Sequence, residues 1–67
     1  MTIFYNNEPM ELQGENITLT QLAEKKNIPS QGAAIAINDK LIKKDLWGVT
    51  ILKPLDRVVV ITAAFGG

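Results

Sequence analysis

The stretch Ile17-Thr18-Leu19-Thr20-Gln21-Leu22-Ala23-Glu24-Lys25-Lys26 decides how this chain folds. Thr18 can cap a helix through its hydroxyl, and Gln21, three residues later, can reach back to the N–H of Thr18, so both halves of a capping box are present. Ile17 before the cap and Leu22 at the fourth helical position supply the matching hydrophobic staple. The spacing predicts a helix over 19–26, with Leu19, Leu22 and Ala23 on one face and Gln21, Glu24 and Lys25 on the other. Asn27, which tolerates the left-handed conformation, and Pro29 stop it. About eight residues cannot hold a helix alone in water, so the apolar stripe must lie on a sheet.

Working outward, that sheet is written on both sides of the helix. Thr2–Asn6 is rich in β-branched and aromatic residues and ends in Asn6-Asn7-Glu8-Pro9, which reads as strand, turn and return strand over Met10–Leu12, closed by Gly14. Pro9 forgoes a ladder hydrogen bond, a loss that an edge strand tolerates. Gly32–Ile37 is small and apolar on both parities, the pattern of a strand covered on both faces or closely approached by another backbone. It should lie inside the sheet. Asn38-Asp39 turns the chain into a short strand, Leu41–Lys43, whose edge Lys40, Lys43 and Lys44 guard. Asp45-Leu46-Trp47-Gly48 reads as a helical turn, with the indole of Trp47 closing one end of a small core. After the turn Pro54-Leu55-Asp56 comes the strongest β-former of the chain, Arg57–Thr62. Alternation places Ile3, Tyr5, Val58 and Val60 toward the helix and Phe4, Val59 and Ile61 on the opposite face. The latter three are either a docking surface for a partner or the wall of a second small core against residues 44–55.

Composition narrows the chemistry. Among 67 residues there is no Cys and no His, so no thiol, no imidazole base and no zinc site of the usual ligand types is available. The seven carboxylates form no obvious pair, and no metal site is expected. Seven basic and seven acidic residues cancel, and no basic footprint for nucleic acid is written in the chain. Apolar runs such as 33–37 and 58–61 are far too short to span a bilayer. A basic start followed by an apolar segment is absent. The expectation is a cytoplasmic single domain over residues 1–62, without membrane or nucleic-acid partners, followed by a flexible tail, 63–67, ending in Gly-Gly.

The two final glycines add nothing to a fold, because they lack side chains and lose the most backbone entropy on ordering. As a tether they make sense. Five residues from Ala63 to Gly67 reach at most about 17 Å, enough to carry a carboxylate into another protein's channel, and glycines let that channel be narrow.

Taken together, the hairpin, helix and sheet order, the Asn6 turn, the Ala-Ile-Ala-Ile-Asn run at 34–38, the Leu46-Trp47 turn and the Gly66-Gly67 ending resemble the ubiquitin-like β-grasp family, and within it ThiS-type sulfur carriers of bacterial thiamine synthesis. The resemblance covers essentially the whole chain. It implies an α+β fold, a mixed four- to five-stranded sheet with one helix, about 19–26, across one face. It also implies a protein cosubstrate rather than an enzyme. In this family an E1-like adenylyltransferase of ThiF type uses ATP and Mg²⁺ to join the terminal carboxylate, here that of Gly67, to AMP. A sulfur donor then forms a thiocarboxylate, and its sulfur passes to a ThiG-type thiazole synthase. No cofactor is implied for the carrier itself. Gly66, Phe65 and Ala64 would occupy the channel, and Phe4, Val59 and Ile61 the partner-binding surface. Phe65 departs from the small residue common before the glycines and implies a wider channel mouth or a pocket in the partner. Two other readings fit the same residues: a molybdopterin-synthase small subunit, and a β-grasp binding module acting through its sheet face.

Overall fold

The computed structural model describes residues 1–29 and 31–62. Five strands and two helical segments follow in the order β1 (Thr2–Tyr5), β2 (Glu8–Glu11), α1 (Leu19–Lys25), β3 (Ala33–Ile37), β4 (Lys40–Ile42), a 3-10 helix (Lys44–Val49) and β5 (Arg57–Thr62). The sheet order is β2-β1-β5-β3-β4. β1 and β5 run parallel, while β1 with β2, β3 with β4 and β3 with β5 are antiparallel. The mixed sheet under a single helix is therefore present, and β5 lies at its centre.

Both hairpins turn on asparagine. Asn6 and Asn7 have φ of 49° and 70°, and Asn38 and Asp39 have 52° and 71°, so each two-residue loop has the left-handed pair that matches strand twist. Tyr5 faces Glu8 across the first and Ile37 faces Lys40 across the second. The return strand begins two residues earlier than its residue types suggest, at Glu8 rather than Met10. Pro9 fits there because β2 is an edge and Pro9 faces Phe4, whose own N–H turns away to the Asp56 carbonyl (2.9 Å).

The helix begins as its residues dictate. Gln21 N–H donates to Thr18 Oγ1 at 3.2 Å, and Thr18 N–H donates to Gln21 Oε1 at 2.8 Å. It ends in a Schellman arrangement: Asn27 has φ of 55°, its N–H donates to the Glu24 carbonyl (3.2 Å), and Ile28 N–H donates to the Ala23 carbonyl (2.8 Å). Leu19, Leu22 and Ala23 are buried against Ile3, Leu12, Ile35, Ile37, Leu52 and Val58, with Tyr5 and Val60 packed at the margin. Each large aliphatic side chain so buried contributes about 1.5–3 kcal/mol. Trp47 closes the core beside the helix, 6% exposed, and its indole N–H donates to the Ile42 carbonyl at 3.0 Å.

One expectation needs correction. β3 lies between β5 and β4, yet only its Ile35 and Ile37 face is covered; Ala34 is exposed and Ala36 half-buried. Its alanines are small because of what stands beside them on the open face, not because a second layer covers them.

Two stability measurements check this account. Replacing Thr18 by Ala leaves the N–H of Gln21 without its acceptor, and chemical denaturation should show a loss of about 1 kcal/mol. Leu55 holds φ of 67° behind Pro54, in a turn closed by Asp56 N–H donating to the Lys53 carbonyl (3.1 Å), at the position that favours Gly or Asn. Its side chain is exposed, so Leu55→Gly should raise stability by about 0.5–1 kcal/mol, the relieved strain exceeding glycine's added chain entropy.

Candidate functional site

Period-two alternation along β5 sorts its side chains cleanly. Val58 is fully buried and Val60 partly so, whereas Val59 and Ile61 are 40% and 65% exposed on the face away from α1. Phe4, half-buried, shares that face: it pairs with Arg57 on one side and Pro9 on the other. The structure thus places the three residues expected at a partner surface on one side of two adjacent strands. The 3-10 helix packs against α1 on the opposite side of the sheet, which removes the alternative of a second core formed with residues 44–55.

Three further residues belong to this surface. Ala36 stands beside Val59 and faces Leu41 on β4, and Ala34 stands beside Ile61. Leu41 is 66% exposed. Methyl side chains on β3 leave Val59 and Ile61 standing above their neighbours, so the apolar strip crosses β5, β3 and β4. The signal for it was the alanine parity of residues 34 and 36, which sequence reasoning assigned to a covered face. Val59 and Ile61, with Ala34, Ala36 and Leu41 beside them, thus form one continuous exposed apolar strip rather than scattered surface apolarity.

Charge frames the end of the strip remote from the tail. Arg57 Nη2 lies 3.3 Å from Asp39 Oδ2, an exposed pair worth little energetically. At the corner of β2, Glu11 accepts from Thr2 Oγ1 (2.6 Å) and lies 3.0 Å from the N-terminal ammonium; the hydroxyl first, and then that ammonium, hold its carboxyl below the usual carboxylate range. Among the described residues buried charge is confined to Asp56, whose carboxylate accepts from Lys53 N–H (2.8 Å) and Asn38 Nδ2 (3.0 Å). Both of its oxygens serve the turn into β5, and neither faces the strip.

Ala64, Phe65, Gly66 and Gly67 lie outside the described residues. Their root does not. Thr62, at the end of β5, pairs with Ala33, the first residue of β3. Ile61, next to this root, is the tail-proximal end of the apolar strip. Among the described residues no three His, Cys, Asp or Glu side chains converge to hold a metal, and no helix is long and apolar enough to cross a membrane. On the other side of the sheet a groove of about 600 Å³ runs between α1 and the 3-10 helix, lined by Ala23, Ile28 and Trp47 with Glu24 and Lys44.

The model of the ThiS family matches residues 3–67, nearly the entire chain and through both final glycines. The chain belongs to the ThiS family. A crystal structure of the thiamine biosynthesis protein ThiS from Geobacter metallireducens has the same fold, with a TM-score of 0.83, 19% identity and full coverage of both chains. A solution structure of a thiamine biosynthesis protein from Geobacter metallireducens is similar at TM-score 0.83 and 20% identity, covering 100% of this chain and 88% of that one. No curated protein matches. The resemblance to ThiS-type carriers and the β-grasp fold it implied are thereby borne out, and at such low identity the superposition speaks for the fold alone.

Within this ThiS-family domain the sheet face can be tested apart from the fold. Ile61→Ser and Val59→Ser remove exposed apolar surface, so thermal stability should change by about 0.5 kcal/mol or less. Binding to an activating partner, measured by calorimetry, should weaken about tenfold or more for Ile61→Ser if the strip is its contact.

Proposed function

We propose that this chain is a sulfur carrier of thiamine biosynthesis whose reactive group is the C-terminal carboxylate of Gly67. One observation carries the reading: the ThiS family match runs from the first strand through Gly66 and Gly67, in a chain that possesses no thiol or imidazole of its own. A carboxylate with pKa near 3.5 is ionised at neutral pH and resists nucleophiles, so it must first be joined to a good leaving group. In the proposed sequence an oxygen of Gly67 attacks the α-phosphorus of ATP and pyrophosphate departs, leaving the acyl-adenylate. A sulfur nucleophile from the donor then attacks the carbonyl carbon and AMP leaves. Where that sulfur is the outer atom of a donor persulfide, a second thiol attacks the donor's inner sulfur, leaving a disulfide on the donor side and releasing the thiocarboxylate, which delivers its sulfur to thiazole synthase.

The cationic groups and Mg²⁺ needed to bring carboxylate and phosphates together belong to the E1-like partner. No basic cluster accompanies residues 57–67 of this chain, whose one cation, Arg57, begins β5 at the end away from the tail. The carrier supplies reach and recognition. Residues 63–67 extend at most about 17 Å beyond the sheet, and the strip of Val59, Ile61 and Leu41 gives the partner a surface to hold while the tail enters its channel. Phe65 then sits at the channel mouth, where a ring demands a pocket. Such an exchange takes place in the cytoplasm, where ATP and the partner enzymes reside.

Incubation with the cognate E1-like enzyme, MgATP and a sulfur donor should add the mass of one oxygen-to-sulfur exchange, read by intact-protein mass spectrometry. Deleting Gly67 should abolish the exchange and leave the melting temperature unchanged. A normal yield of product from the truncated chain would falsify the assignment.

A further inference from the structure

β5 is held on its β1 side by more than backbone. Asn6 N–H donates to the Val58 carbonyl at 2.8 Å, and one rung later Val60 N–H donates to Asn6 Oδ1, also at 2.8 Å. At Asn6 the backbone has already turned into the hairpin, with φ of 49°, and no further carbonyl of β1 follows alongside β5. The asparagine side chain stands in for that carbonyl and extends the ladder to Val60, two residues before the root of the tail. On the other flank β3 pairs with β5 as far as Thr62 among the described residues.

We infer that Asn6 is a positioning residue for the end of the central strand: its side-chain carbonyl extends the ladder on the β1 side to Val60, and so holds the part of β5 that precedes the tail. The inference deepens the carrier reading and rests on it for its kinetic consequence. A strand end held on both sides presents its tail to a channel with less orientational freedom to lose on binding. Releasing Val60 N–H frees the strand end before the partner engages it. The carboxylate of Gly67 is chemically untouched, so the penalty falls on capture of the carrier and not on the reaction that follows.

Asn6→Gly keeps the left-handed turn and removes the acceptor, whereas Asn6→Asp keeps both. Amide hydrogen exchange should accelerate at Val60 in Asn6→Gly relative to the amides of β3. With the cognate activating enzyme and MgATP, its KM should rise about five-fold at unchanged kcat, the effect of about one lost hydrogen bond. Asn6→Asp should restore both readouts, and Thr18→Ala, a comparable loss of stability far from the tail, should leave KM at the wild-type value. Equal exchange or equal KM in Asn6→Gly, a failure of Asn6→Asp to restore them, or the same KM rise in Thr18→Ala overturns the inference. If the wild-type chain is not adenylated at all, the carrier reading falls instead, and the exchange measurement alone judges Asn6.

Discussion

Everything in this domain is organised around the strand Arg57–Thr62, which is paired along both flanks and anchored near both ends by asparagine side chains. At its start Arg57 N–H donates to Asn38 Oδ1 (2.9 Å), while Asn38 Nδ2 holds the buried Asp56; near its far end Asn6 Oδ1 receives Val60 N–H. Each asparagine sits in a hairpin, so the two hairpins are locked to the central strand rather than to one another. Register along this strand decides which valines enter the core. A one-residue slip would expose Val58 and bury Val59, exchanging the two faces of the sheet.

That arrangement reconciles a small core with a surface kept open. A chain of this size hides only about 60% of the area its unfolded form exposes, so every buried aliphatic matters. Ile3, Leu19, Leu22, Ile35 and Val58 are buried completely on the helix side, while Val59, Ile61 and Leu41 remain outside. Apolar surface left in water forgoes burial that the fold could use, which is understandable if another protein covers it during the reaction. Under the proposed function the labour is divided: chemistry with the partner, recognition and reach with the carrier.

Much of this was legible from residue types. The Thr18 and Gln21 box, the Asn27 stop, the turn at Asn38-Asp39, the indole over the core and the alternation along 57–62 each act within a few residues, and local chemistry determines them. Less legible was whatever depends on neighbours in the sheet. Glu8 reads as a turn residue, and only its pairing with Tyr5 makes it the start of the edge strand. The stretch Gly32–Ile37 reads as doubly covered because small or apolar side chains on both parities carry no marker of which face is open. Leu41 looked like a residue of a guarded edge strand, and its place on the open face beside Val59 follows from register with Ala36 alone. The bond from Val60 to Asn6 joins residues 54 apart in the chain and leaves no trace in local composition.

Following labelled sulfur shows whether the chain lends a sulfur atom from its final residue while the folded sheet serves as a handle. Carrier bearing a labelled thiocarboxylate at Gly67 is mixed with thiazole synthase and its remaining substrates, and the label is traced by mass spectrometry. The account expects the label in the thiazole product and an unlabelled carboxylate regenerated on the carrier. Label retained on the carrier while thiazole forms at the normal rate would contradict it.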